Sequence, residues 1–182
     1  MSALPVRGSR VSPLETRAFR AVNRLPDAAY PAVWPVMQFG ALAAAPAAAG
    51  VALLAGRRAL GVQLAVVGGG AWTAAKVVKR LRVRGRPASL LADVNVRGAE
   101  ATGGGFVSGH AAVAAALAAT AAPFLGRRLG HALRLMAPVV ALSRLYVGAH
   151  LPLDALGGAS LGLLIESAVS SVTRGRGDRA TA

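Results

Sequence analysis

The chain has no cysteine, which excludes disulfides and thiolate chemistry but assigns no compartment. Aromatic residues make up only 4%, too few to supply stacking platforms for nucleic-acid bases. Acidic residues are also scarce: 7 Asp and Glu stand against 21 Lys and Arg, a formal net charge of +14. No His, Asp or Glu cluster has metal-ligand spacing, so no metal and no other cofactor is expected. The first residues lack an apolar core followed by a cleavage site, so no signal peptide is expected.

What the chain does have is apolar residues, 54% of its 182. That length suits one domain. The basic residues fall between the apolar runs and not along one stripe. This pattern points to a membrane protein and away from a nucleic-acid binder, so membrane lipids are expected partners and nucleic acid is not.

Residues 1–11 are polar and basic, and a disordered N-terminus is expected there. Ser12, Pro13 and Glu15 predict a helix start, with Ser12 as cap, Pro13 in the first turn and Glu15 closing a capping box. Leu14, Phe19, Val22 and Leu25 lie among Arg17, Arg20 and Arg24. Residues 13–25 therefore predict an amphipathic helix lying on the membrane surface; a soluble helix packed on a neighbour is the alternative. Five apolar runs follow, near residues 33–55, 60–78, 107–125, 133–147 and 151–172. A span needs roughly 20 such residues.

The expected fold is therefore all-α: a membrane bundle of about five transmembrane helices plus the N-terminal surface helix. Residues 12–172 form its domain, and 173–182 a basic disordered tail. Gly68–Gly70 and the alanines of the third run favour close helix contact, and Pro138 predicts a bend in the fourth. Residues 80–105 form a polar, Gly-rich connection, and Gly103–Gly105 would let it move over a substrate.

Because spans alternate direction, their ends sort onto two sides. Lys79, residues 80–105, Ser108 to His110 and Arg144 to His150 share one side. Arg57, Arg58, Arg127, Arg128 and the tail share the other, with His131. Glu166 falls near that opposite interface, and Asp93 and Glu100 are expected to be solvated.

Three motifs occupy the first side. Lys79 and Arg86-Pro87 are separated by six residues; alone, they could be a juxtamembrane cluster facing headgroups. Ser108-Gly109-His110 opens a run, with Ser108 as cap and the next N–H groups turned outward for an anion. Ser143-Arg144, His150 and Asp154 form the third. A carboxylate beside one imidazole nitrogen fixes the tautomer and leaves the other nitrogen as nucleophile or base. Pro152 suits a helix start. A structural His–Asp tie between two spans is the plain alternative. Together, three cations, a helix N-terminus, two histidines and one aspartate describe a phosphate site.

In order and spacing these motifs resemble the signature of the type 2 phosphatidic acid phosphatase superfamily, which also holds bacterial acid phosphatases and vanadium haloperoxidases. The resemblance implies a phosphatase in which His150 takes the phosphoryl group and Asp154 orients it. His110 would protonate the leaving group and then activate water. Lys79, Arg86, Arg144, Ser108 and the Gly109 N–H would hold the phosphoryl oxygens. The expected substrate is a lipid phosphate or polyprenyl diphosphate, including a prenyl-linked sugar phosphate. Val107 departs from the usual Pro before Ser-Gly-His. Membrane members typically have six spans, and segment 13–25 resembles the surface helix that follows their first. Soluble haloperoxidases do not fit the apolar runs.

The resemblance implies a multi-pass protein of the cell membrane with its site outside the cytoplasm. The basic residues lean weakly the other way. The alternative from another class is a non-catalytic membrane protein that binds anionic lipid.

Overall fold

A computed structural model describes residues 11–180, with side chains through residue 173. Residues 1–10, most of the expected disordered N-terminus, lie outside the described residues. The described chain is all-helical: α1 (Pro13–Asn23), α2 (Tyr30–Gln38), α3 (Ala44–Leu54), α4 (Arg58–Leu81), α5 (Pro87–Leu90), α6 (Gly109–Ala121), α7 (Arg127–Tyr146) and α8 (Pro152–Ala180). Short 3₁₀ turns precede α2 and follow α6.

Helix α1 begins as the sequence predicts, with Pro13 in its first turn and the Ser12 hydroxyl accepting the Glu15 N–H at 3.1 Å. Only half of the capping box forms, because the Glu15 side chain turns inward and bonds elsewhere. Phe19 and Asn23 are buried on the same face, while Leu14 is exposed.

The first apolar run is not one straight helix. It is the pair α2 and α3, bent by 70° at Gly40–Ala43. A Cβ on Gly40 would collide with the His110 carbonyl oxygen. The chain therefore turns where it passes the start of α6, and only glycine allows that approach.

Helix α6 is the centre of the bundle. Residues 111–118 are all buried, and α3, α4, α7 and α8 pack around them. Its alanines permit this, since small side chains let backbones approach. Within Gly68–Gly70 of α4, Gly68 makes the closest approach, against Ala45 and Leu117. Gly158 and Gly162 do the same for α8. A Cβ on either would run into the carbonyl oxygen of Ser108 or Ala112. This small-xxx-small pair sets α8 directly against α6.

Many large apolar side chains point outward instead of into a core. Leu54 is 92% exposed, Leu164 67% and Leu135 66%. Helix α8 over Pro152–Thr173 is long and apolar enough to cross a membrane. Pro138 lies inside α7. The helix α8 also continues to Ala180, through most of the segment whose composition suggests a disordered tail. No proline follows Pro152 to stop it.

Candidate active site

The three motifs meet at one end of the bundle. Helix α4 delivers Lys79 in its last turn, α6 begins with Gly109 and His110, and α7 carries Arg144 in its last turn. A tight turn with Gly148 at φ +74° then leads to His150 and α8. There a Cβ would come within 2.6 Å of the Asn95 carbonyl oxygen, so both conformation and space require glycine. Lys79, Arg86, Gly109, His110, Arg144 and His150 line one cavity of about 490 Å³. It shares Arg86, Arg144, Gly103 and Gly104 with an outer vestibule of about 660 Å³, walled by Tyr30, Trp34 and Met37 of α2.

Two predicted site residues do not line the inner cavity. Ser108 is fully buried, and its hydroxyl caps α6 by accepting the Ala111 N–H at 3.4 Å. Its own N–H donates to the Asp154 carbonyl at 2.8 Å, joining the second motif to the third. Asp154 lies behind His150 and is also fully buried. Its Oδ2 accepts the Leu151 N–H at 2.8 Å and lies 3.8 Å from His150 Nδ1. Val107, in the position before Ser108, packs among Val67, Ala71, Ala75 and Ala112.

The cations are used unequally. Arg86 donates to the carbonyls of Gly103, Thr102 and Ala149, at 3.0, 2.7 and 2.7 Å. Lys79 donates to Gly104 at 3.0 Å. These bonds pin the Gly-rich connection over the site. Arg144 is 9% exposed, its guanidinium donates to the Met37 sulfur at 3.2 Å, and its buried Nε has no partner among the described residues. The residue lines both cavities. Burial pulls the His150 imidazole down to about 4, with the Lys79 and Arg86 charges acting the same way. It is therefore neutral, the state a nucleophile needs.

Sequence reasoning missed Arg84 and Glu15. Arg84 donates to Asp154 Oδ1 at 2.6 Å and to Glu15 Oε2 at 2.7 Å. Arg80, Arg82, Arg84 and Arg86 alternate along the chain, and nothing local singles out the one that turns inward. Arg97 was also unmarked. It ties α1 to α7 through the carbonyls of Asn23, Leu25 and Tyr146 and stacks 4.2 Å over the Tyr146 ring.

Two histidines, three cations and a buried aspartate thus gather at one end of a helical bundle. The chain belongs to the PAP2 superfamily, whose model matches residues 58–178. No curated protein matches it. Among solved structures, LpxE from Aquifex aeolicus is similar, with a TM-score of 0.79 and 22% identity over 90% of this chain and 99% of that one. A PAP2-type phosphatidylglycerolphosphate phosphatase from Bacillus subtilis is similar with a TM-score of 0.66 and 23% identity, over 90% and 88%. At such identities the likeness establishes the fold.

Proposed function

We propose that this protein is a multi-pass membrane phosphatase that removes phosphate from a lipid phosphate or polyprenyl diphosphate through a phosphohistidine, without a metal. The observation that carries the reading is the shared cavity: Lys79, Arg86, His110, Arg144 and His150 line it together, with Asp154 behind His150. Asp154 stands on the Nδ1 side, which leaves Nε2 to attack. The His150 Nε2–P bond forms as the P–O bond to the lipid breaks. His110 gives a proton to the departing oxygen. His110 then takes a proton from water, whose oxygen attacks phosphorus, and the N–P bond breaks to release phosphate and restore His150. Lys79, Arg86, Arg144 and the N–H groups of Gly109 and His110 oppose the phosphoryl charge. Ser108 contributes by holding the α6 start in place.

In this reading the bent α2–α3 pair, α4, α6, α7 and α8 make the five spans, and α1 lies on the surface. The outward-facing leucines support lipid around the bundle. A site at the bundle's end suits a substrate whose tail stays in lipid. The vestibule leaves room for the rest of a headgroup, and phosphatidylglycerol phosphate joins phosphatidic acid and the polyprenyl diphosphates as candidates. The site faces away from the cytoplasm, as the family resemblance implies; labelling a cysteine placed at exposed Ala99 from either side tests this.

The deciding experiment is phosphate release from a panel of these lipids by purified protein and by His150→Ala. Release by the wild type, lost in a variant that still inserts, is the expected outcome. Equal release by both removes the mechanism, and lipid binding without release leaves the non-catalytic alternative.

A further inference from the structure

Behind His150 lies a chain of three buried charges, two of which the three motifs do not include. Glu15, Arg84 and Asp154 come from α1, the connection and α8. Their side chains are 4%, 11% and 0% exposed. Arg84 bridges the carboxylates, giving one nitrogen to Asp154 Oδ1 at 2.6 Å and the other to Glu15 Oε2 at 2.7 Å. Glu15 Oε1 accepts the Leu153 N–H at 3.0 Å, in the first turn of α8. Asp154 Oδ2 accepts the Leu151 N–H at the same helix start. Each oxygen of both carboxylates thus has one assigned place.

Such an arrangement is costly unless it has a use, because burying charges is repaid only by complete pairing. Here pairing is complete except at one point. His150 Nδ1 has no hydrogen-bond partner among the described residues, and the nearest carboxylate oxygen is Asp154 Oδ2 at 3.8 Å. Arg84 takes Oδ1 and thereby turns Oδ2 toward the imidazole. It also sets how much negative charge His150 feels.

We propose that Arg84 and Glu15 are positioning residues that tune the proton affinity of the His150–Asp154 pair, so that docking of the surface helix α1 is part of the active site. Its bearing on turnover rests on the phosphatase reading above; the electrostatic coupling does not. The charged and titratable groups around the pair are Glu15 from α1, Lys79 from α4, Arg84 and Arg86 from the connection, His110 from α6 and Arg144 from α7. Glu15 is the sole carboxylate among them. Removing Arg84 deletes a positive charge in direct contact with Asp154, so the pair binds its proton more readily. Removing the Glu15 charge leaves Arg84 to Asp154 alone, so the pair binds its proton less readily. A part that only holds the fold together gives no such opposition of sign.

The test uses full-length protein in lipid nanodiscs with 15N-labelled histidine. The chain has only three histidines, and His150→Ala identifies the signal. The imidazole of His150 is titrated in wild type, Arg84→Ala, Arg84→Lys, Glu15→Gln and, as a control, the exposed neighbour Arg82→Ala. The expected result is an upward shift of about one pH unit or more in Arg84→Ala, a tenfold rise in the imidazolium-to-imidazole ratio at a given pH. Arg84→Lys stays nearer the wild type, Glu15→Gln moves down and Arg82→Ala does not move. In phosphate release, kcat of Arg84→Ala falls roughly 10–100-fold while KM stays within about threefold, as for outer partners of an active-site histidine.

Midpoints of Arg84→Ala and Glu15→Gln that stay put, or move in the same direction, overturn the proposal. A rise in KM alone also overturns it and makes Arg84 a substrate contact. Should Arg84→Ala not fold, the direction of Glu15→Gln decides, since Gln keeps the bond to the Leu153 N–H. The titration needs no turnover, so a wild type that releases no phosphate overturns the proposed function and leaves this result standing.

Discussion

His150 Nδ1 stands 3.8 Å from Asp154 Oδ2, beyond hydrogen-bonding distance. The pair is aligned but not closed. A phosphoryl group on the opposite nitrogen would leave the ring positively charged, and that charge draws the carboxylate to it. In the proposed mechanism the bond would then form where it lowers the barrier and not before.

Asp154→Asn tests that relationship. Asn keeps the shape and can still accept the Leu151 N–H, but cannot stabilise the charged ring. We expect kcat to fall roughly 10²–10⁴-fold with little change in KM, as for carboxylates that orient a histidine elsewhere. Steady-state release from a short-chain lipid phosphate measures it.

The pH profile follows from the buried imidazole. His150 is held down to about 4 by burial, against about 6.5 in an open chain. The acid limb of kcat/KM should therefore lie well below 6.5, nearer 4. Stability follows the same sign. Between the two values the unfolded chain binds the proton and the folded chain does not. The His150 contribution is thus fully present above about 6.5 and is lost as the pH falls toward about 4. Thermal unfolding in detergent across that window reads it, with His150→Ala losing this part of the slope.

Much of this site can be read from the chain because each motif is local. Lys79, His110, Arg144 and His150 each sit at a helix end that sequence punctuation marks, and alternation of apolar runs puts those ends together. The family model, matching residues 58–178, agrees with the resemblance seen in the same motifs. What is not local was not legible. Glu15 has the spacing of a capping box, and only the folded chain shows that an arginine 69 positions away claims it. Arg84 sits in a row of alternating arginines, and its partner is 70 positions away. The bend at Gly40 went unread although Gln38, Gly40 and Pro46 interrupt the apolar run there. The reason for it, the carbonyl of His110, lies on another helix.

Arg144 lines the cavity and spends one side-chain bond, on the Met37 sulfur, whereas Arg86 spends three on backbone carbonyls. Lysine at position 144 keeps the charge but loses the planar fork. Arg144→Lys should cost roughly 1.5–3 kcal/mol in transition-state stabilisation, about 10–150-fold in kcat/KM. Arg86→Lys should instead loosen residues 102–104, seen as faster amide hydrogen exchange there.

The reaction as drawn asks nothing of a metal. Among the described residues no group of three His, Asp or Glu could hold one. Phosphate release should be unchanged by EDTA. Orthovanadate, a mimic of the five-coordinate phosphoryl group, should inhibit competitively and lose its hold in Arg144→Ala. Loss of activity in chelator, restored by one divalent ion, would contradict the mechanism.

Helices α6 and α8, which carry His110 and Asp154, are in direct contact. Gly158 faces the Ser108 carbonyl so closely that a Cβ cannot fit. The atom it meets is backbone at the cap of α6, which cannot rotate away. Gly158→Ala must therefore push α8 from α6, carrying Asp154 and His150 away from His110. Overpacking of this kind costs about 1–3 kcal/mol, and a displacement of about 1 Å at a reacting centre can cost roughly 10²-fold in rate. Gly69 in α4 has nothing within 4 Å of its Cβ position. Gly69→Ala should leave activity intact and raise stability by about 0.5–1 kcal/mol through the helix preference of alanine. Unfolding temperature and phosphate release measured on both variants separate a tight helix crossing from a general intolerance of larger residues in this bundle.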